Sequence, residues 1–180
     1  PIKSGTKITV NNVFENVPAR LKFLKSNKVE NKNSLQIIKK IALGHPEIKF
    51  LYKFEENLTH IYKKENFNNE GFKHRILEVF QDDFFSNSLL VENKIQSDLG
   101  DIKLRGFISI PSYNKVNQSY QFLFVNGRPV QDRGLSAVIR LSYRDTLPRG
   151  RHPLYCLMLD LSNDQIDVNV HPTKLEVKFQ

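Results

Sequence analysis

The sequence predicts an α/β fold with mixed, largely antiparallel strands, and three observations support it. Apolar residues recur at helical spacing in some segments and alternate with polar residues in others. The Asn126-Gly127 pair is typical of a tight hairpin turn, because both residues tolerate positive φ. The chain of 180 residues is 39% hydrophobic, with 13 Phe and 6 Tyr, so it can bury a core. These features exclude a disordered chain.

A strand and two helices are predicted first. Alternation of polar and apolar residues predicts a strand over residues 7–10, and a proline at a first turn predicts a short basic helix over residues 18–25. Ser34 is typical of a helix N-cap, and Gly44 is typical of a helix end. Helical spacing places Leu35, Ile38, Ile41, Ala42 and His45 on one face of this second helix.

A hairpin and a polar linker are predicted next. Residues 47–54 and 58–62 have the composition of two antiparallel strands, and residues 63–71 are the most linker-like part of the chain. We therefore place a domain boundary there, with one domain over residues 1–64 and a second over residues 67–180. The second domain is predicted to contain helices over 72–80 and 133–143, and strands over 89–95, 102–110, 120–125, 154–161 and 175–179. On the first of these helices, helical spacing places Phe72, Ile76, Val79 and Phe80 on one apolar side.

Positive charge is concentrated in two parts of the chain, whose formal net charge is +8. Residues 1–64 carry 13 Lys or Arg against 5 Asp or Glu, but 12 of the 13 are Lys, a pattern also typical of solvated faces. Six of the nine Arg lie between Arg128 and Arg151. Arg is the side chain best shaped to fork onto phosphate, so this cluster is the better indication of a DNA partner.

Three of these arginines have helical spacing. Arg133, Arg140 and Arg144 lie at i, i+7 and i+11, so they form one basic stripe if the predicted helix extends that far. Arg133 is the first choice as a phosphate contact, because backbone N–H groups at a helix start also bind phosphate. The alternative is a solvated face paired with Asp132 and Asp145. The candidate DNA-backbone contacts are Arg128, Arg133, Arg140, Arg144, Arg149 and Arg151.

No complete catalytic site and no metal site are predicted. The five His are scattered, and the single cysteine, Cys156, lies in an apolar strand, so zinc-type spacing is absent. No glycine-rich phosphate-binding motif occurs in the chain. Lys174, in a loop before the last strand, can reach a phosphate, although a solvated lysine is the common alternative at such a position.

Composition also limits the location of the protein. The longest apolar runs fall far short of the roughly 20 residues that cross a bilayer, so we expect no membrane span. A single cysteine fits a reducing compartment, and the cytoplasm is the default expectation. The first residues have neither a secretory nor a transit pattern, and we expect the chain to be a piece of a longer protein.

Three stretches together resemble the MutL family of DNA mismatch repair ATPases. Residues 5–24 (GTKITVNNVFENVPARLKFL) are similar to the family's G-T segment and its N-x-P-A-R-x-K-F-L motif. Residues 124–130 (FVNGRPV) resemble its central hairpin, and residues 165–177 (QIDVNVHPTKLEV) resemble its V-D-V-N-V-H-P-x-K-x-E-V motif. Leu175 stands where His is frequent in the family. The three motifs occur in the family's order and span nearly the whole chain.

This resemblance implies a fold and a nucleotide site. Residues 1–64 would be the C-terminal portion of a gyrase/Hsp90/histidine-kinase/MutL-type ATPase domain, and residues 67–180 a transducer domain like domain 2 of ribosomal protein S5. Gly5 and Thr6 would lie in the ATP pocket, and Lys174 would reach the γ-phosphate. This sequence contains neither the helix with the catalytic Glu and the Mg²⁺-binding Asn nor the D-x-G-x-G segment. We therefore expect the 180 residues alone to be inactive as an ATPase.

The resemblance also implies partners and leaves alternatives open. We expect a homodimeric, ATP-gated and Mg²⁺-dependent matchmaker, which binds the DNA backbone, a MutS-type mismatch sensor and a downstream repair nuclease or helicase. A stand-alone S5-like nucleic-acid-binding module would explain the arginines but leaves Gly5 and Thr6 without a role. Another ATPase of the superfamily, such as a type II topoisomerase or an Hsp90-like chaperone, is disfavoured by the hairpin and the V-D-V-N-V-H-P motif.

Overall fold

The fold is that of a computed structural model of the chain. It describes residues 4–55, 58–66, 68–80, 83–97, 100–162, 166–167 and 178–179. Within these ranges the helices are α1 (Pro18–Leu21), α2 (Asn27–Gly44), α3 (Asn69–Phe80), α4 (Asp83–Ser86) and α5 (Arg133–Ser142).

Eleven strands are assigned in the same ranges. They are β1 (Phe50–Phe54), β2 (Leu58–Tyr62), β3 (Ser88–Ser97), β4 (Gly100–Ser109), β5 (Asn114–Lys115), β6 (Gln121–Val125), β7 (Arg128–Val130), β8 (His152–Pro153), β9 (Tyr155–Asp160), β10 (Ile166–Asp167) and β11 (Lys178–Phe179). Five of them form a sheet of order β3-β4-β9-β6-β7, in which β6 and β9 are parallel and the other neighbours are antiparallel. The predicted α/β fold class, with mixed and largely antiparallel strands, is confirmed.

Both faces of the five-stranded sheet are covered at its centre. On β6, Phe122 and Phe124 point into one apolar cluster, and Leu123 and Val125 point into another, because successive side chains of a strand face opposite ways. The first cluster includes residues of α2, α3, α4 and β2, and the second includes two half-buried residues of α5. Burial on both faces explains the unbroken apolar run of this strand.

Local signals in the sequence predicted several elements well. Asn126 and Gly127 have φ values of 48° and 75°, as the predicted hairpin turn between β6 and β7 requires. The β1–β2 hairpin is antiparallel, with Phe50 opposite Tyr62. All four residues expected on the buried face of α3 are buried, namely Phe72, Ile76, Val79 and Phe80.

Two predicted elements near the N-terminus differ from the structure. Residues 7–10 form no strand, and Ile8 and Val10 are 83% and 73% exposed, because within the described residues no neighbouring strand pairs with them. Helix α2 begins at Asn27 rather than near Ser34, which adds two turns. Its start is fixed by the Glu30 carboxylate, which accepts a hydrogen bond from the Lys25 backbone N–H at 3.0 Å.

The chain groups into two compact units, Pro1–Leu35 and Gln36–Gln180. In the second unit, the C-terminal part of α2 and the β1–β2 hairpin share a core with α3. The proposed division into a domain of residues 1–64 and a domain of residues 67–180 stays a prediction.

Candidate nucleic-acid interface

Helix α5 is built so that its apolar side packs on the sheet and its arginines face outward. Leu135 and Ile139 pack against the second apolar cluster, whereas Arg133 and Arg140 are exposed. The Asp132 carboxylate caps the helix by accepting a hydrogen bond from the Leu135 N–H at 2.7 Å. The Asp132 carboxylate occupies one of these N–H groups, and the expectation that the N-terminal N–H groups of α5 help to bind phosphate stays a prediction.

The end of α5 is fixed by Tyr143. Its hydroxyl donates a hydrogen bond to the Ser109 carbonyl at 2.6 Å, and the Ser109 hydroxyl accepts one from the Leu154 N–H at 3.0 Å. Burial raises the pKa of Tyr143, while the bond to Ser109 opposes this shift. Since the helix stops at Ser142, Arg144 lies beyond it, and the predicted stripe of three arginines on one helix does not form.

A turn after the helix adds two more arginines. Gly150 has a φ of 72°, which a residue with a side chain rarely adopts, and the Arg151 N–H donates to the Pro148 carbonyl at 3.2 Å. Arg149 and Arg151 flank this glycine and are exposed. The turn therefore presents two guanidinium groups next to the C-terminal end of α5.

These elements enclose a groove of about 1220 Å³ that is strongly basic. Of the described residues that line the groove, only Asp132 is acidic, and its carboxylate is engaged in capping α5. The basic residues of the groove are Lys40, Arg133, Arg140, Arg144, Arg149 and Arg151. Arg128, the sixth predicted arginine, is exposed on β7 and does not line the groove.

Most of the groove's charge is not neutralised by ion pairs. Arg144 lies 3.6 Å from Asp145, but both side chains are largely exposed, so water screens this pair. The other four arginines of the groove form no ion pair with any residue that the structure describes. Of the arginines in the groove, only Arg144 therefore has, among the described residues, the carboxylate partner that the alternative interpretation expects. The groove concentrates positive potential, which attracts polyanions.

Two groove residues were missed by sequence reasoning. Gln36 and Lys40 lie one turn apart on α2, and both line the groove. Nothing in the lysine-rich N-terminal sequence distinguishes Lys40 from its neighbours. The location of Lys40 depends on how closely the end of α2 packs against β6. At Gly44, four residues later on the same helix, an added Cβ would lie only 3.3 Å from Phe124 Cε1.

Two of the three predicted nucleotide-binding residues lie in the part of the chain that the structure describes. Gly5 and Thr6 are exposed residues of the first compact unit, and Gly5 has a φ of 116°. The positive φ and the exposure fit a glycine whose backbone approaches a ligand closely. Lys174 lies outside the described residues, and so do the His171 loop and residues 175–177 of the predicted last strand.

The described residues offer neither a metal site nor a reactive thiol. No group of three His, Cys, Asp or Glu there could hold a metal ion, and Cys156 is buried, which raises the pKa of its thiol far above the ordinary value. No described helix is long and apolar enough to cross a bilayer.

The fold and the groove define an α/β domain with a cationic surface suited to a polyanion. Comparison with known proteins identifies its family. The family described as "DNA mismatch repair protein, C-terminal domain" matches residues 76–180. The chain therefore belongs to the MutL family of DNA mismatch repair proteins, as the sequence motifs indicated.

Individual relatives agree with this assignment. The chain is 41% identical over 176 residues to the DNA mismatch repair protein MutL of Rickettsia felis, and 42% identical over 176 residues to that of Rickettsia canadensis. Each match covers 97% of this chain but only 28% of the relative, so the chain spans about a quarter of their length. A crystal structure of the N-terminal domain of a DNA repair protein is 25% identical, with a TM-score of 0.74, and the match covers 92% of this chain and 53% of that one.

Proposed function

We propose that this part of a MutL-family protein binds the DNA backbone along the arginine groove, and that ATP bound by the full-length protein controls this binding. The observation that carries the proposal is a groove lined by five arginines, four of which form no ion pair with any described residue. Guanidinium groups displace counterions from phosphates, which favours binding without base recognition. Arg128 adds an exposed cation on the neighbouring hairpin.

Charge reversal tests the groove directly. Arg133→Glu in the 180-residue chain should weaken binding to duplex DNA and flatten its salt dependence, since each lost phosphate contact lowers the log–log salt slope by about 0.9. A residue that only pairs with a neighbouring carboxylate would instead cost at most about 1 kcal/mol of stability. Thermal unfolding of the same protein provides the control. A folded variant with unchanged affinity and slope would remove Arg133 from the interface.

The nucleotide gate is proposed from the family resemblance of Gly5, Thr6 and Lys174. In the full-length protein, Mg²⁺-ATP would bring Lys174 to the γ-phosphate, where a single positive charge in a water-poor site stabilises the closed state. Closure would then change how the groove meets DNA and the repair partners: a MutS-type sensor, a nuclease or helicase, and a second copy of the protein. A cytoplasmic location is part of the same proposal.

Lys174→Ala in the full-length protein tests the gate. We expect slower ATP turnover and weaker ATP-dependent dimerisation, with unchanged thermal unfolding in the absence of nucleotide. Lys178→Ala removes a charge of the same type four residues later in the sequence and serves as the control. If ATPase kinetics and dimerisation of Lys174→Ala matched those of the native protein, the lysine would have no part in the gate.

A further inference from the structure

Helix α2 contributes a lysine to the groove whose charge has no partner in the described structure. Lys40 is half-buried, and it forms no ion pair with any carboxylate among the described residues. Burial lowers its pKa, and no neighbouring acid opposes the shift. Holding a partly desolvated ammonium group in this way costs stability, so its charge is not explained by the fold.

The adjacent lysine shows how the fold satisfies a buried cation when it has a structural role. Lys39 is only 9% exposed, and its ammonium nitrogen lies 4.7 Å from the centroid of the Tyr120 ring. This cation–π contact compensates for its burial. Lys40 has no such aromatic contact in the described structure, and it faces the groove instead.

The surroundings of Lys40 suit a phosphate group. Gln36, one turn earlier, and Gln131, next to the start of α5, line the same groove and carry amide groups that donate hydrogen bonds. Lys40 and Gln131 also line a small recess of about 20 Å³ beside β6 and β7. No described acidic residue lines this recess, and the carboxylate of Asp132 in the wider groove is engaged in capping α5. An ammonium group and amide donors form a donor set that binds a phosphodiester.

The groove also limits which part of DNA it contacts. Its two tyrosines, Tyr143 and Tyr155, are only 6% and 4% exposed, so neither ring is available for stacking on bases. The accessible donors include guanidinium, ammonium and amide groups. They suit phosphates and sugars better than the faces of bases.

We infer that Lys40 binds a backbone phosphate of the DNA that occupies the arginine groove, so that α2 and α5 hold the same polyanion. This inference rests on the proposed DNA binding and extends it to a helix for which no role in DNA binding was expected. The charge of Lys40 serves to bind this phosphate, and its partial burial lowers the stability of the protein without DNA.

Two neutral variants of the 180-residue chain test this role. Lys40→Gln should weaken binding to a duplex about eightfold at 0.1 M salt, because one lost phosphate contact reduces the salt slope by about 0.9. On a single strand of the same sequence the slope should fall by about 0.7, which distinguishes the two forms of DNA. Lys40→Met, which keeps the apolar stem, should show the same loss, and Lys40→Arg should retain binding.

Stability and a matched control distinguish this role from a structural one. Both neutral variants should unfold at the native temperature or above it, since removing a partly buried charge relieves desolvation. Lys53→Gln removes an exposed charge on β1, outside the groove, and should bind DNA like the native chain. A lower unfolding temperature with native affinity would overturn the inference, because it would assign Lys40 to the fold.

The failure of this inference can be separated from failure of the proposed function. If Lys40→Gln binds like the native chain while Arg133→Glu binds weakly, the groove binds DNA without Lys40, and the inference is wrong. If both variants bind like the native chain, DNA binding in the groove is itself wrong.

Discussion

The two faces of the five-stranded sheet use the same type of residue in opposite ways. On the face covered by α3, Arg75 is fully buried and Arg105 lies 3.6 Å from the Asp160 carboxylate. On the face covered by α5, Arg133 and Arg140 are exposed and form no ion pair among the described residues. The difference shows that a count of arginines is a poor guide to function. A better guide is whether the charge of each arginine is paired within the protein.

Arg75 illustrates the structural use. Its guanidinium donates to the backbone carbonyls of Ala42, His45, Pro46, Ile48 and Lys63, and its Nε lies 3.3 Å from a Glu78 carboxylate oxygen. Burial lowers the pKa of Arg75, and Glu78 opposes that shift. One side chain thereby joins the end of α2, the following loop and the end of β2 to α3.

The largest predicted effect is the loss of this side chain. Arg75→Leu should lower the free energy of unfolding by about 3 to 5 kcal/mol, because it leaves buried carbonyls without donors and Glu78 without its cation. Arg105→Leu, on the same face but half-exposed, should cost about 1 kcal/mol or less. Chemical denaturation of both variants makes the comparison. Equal losses would contradict the assignment of Arg75 as a buried structural link.

A somewhat smaller effect is expected in the aromatic core of the same face. Phe84 is fully buried, and its ring centroid lies 4.2 Å from that of Phe80. Phe84→Ala should cost about 3 kcal/mol through the cavity that it leaves. Val138→Ala on α5 removes a side chain that is 64% exposed and should change stability by no more than about 0.5 kcal/mol. A comparable loss in the two variants, measured by urea denaturation, would show that the two positions are packed alike.

The smallest effect concerns the anchor of α5. Tyr143→Phe should cost about 1 kcal/mol, because the Ser109 carbonyl loses its donor. Ser142→Ala removes an exposed bond at the same helix end and should cost a few tenths of a kcal/mol. Burial raises the pKa of Tyr143 above its ordinary 10.0, so its contribution to stability is present below about pH 10 and is lost as pH rises through the folded-state value. An identical decline of stability above pH 10 in native and Tyr143→Phe proteins would contradict this assignment.

Sequence patterns predicted the elements that depend on local chemistry. The positive φ values at Asn126 and Gly127 and the apolar face of α3 follow from neighbouring residues, and both were predicted correctly. The first turns of α2 were missed, because the polar segment from Asn27 to Asn33 has no apolar periodicity and depends on Glu30 for its start. The strand predicted over residues 7–10 depends on a pairing partner that alternation alone cannot supply.

The candidate site was predictable only in part, for the same reason. Clustering in the sequence identified five of the groove's basic residues, but it could not show that Arg128 lies outside the groove or that Lys40 lies within it. Arg75 was not singled out, because its acceptors are backbone carbonyls 12 to 33 residues away. Long-range packing decides which charges are satisfied, and that information is not present in the spacing of residues.

One comparison tests most directly the claim that the α5 face binds DNA and the α3 face does not. Arg140 lies in the groove, and Arg105 belongs to the face of the sheet that α3 covers. The salt dependence of duplex DNA binding should be measured for Arg140→Gln and Arg105→Gln, with thermal unfolding to confirm that both are folded. We predict that the log–log slope falls by about 0.9 for Arg140→Gln and stays at the native value for Arg105→Gln. Native slopes for both folded variants, or an equal fall in both, would contradict the account.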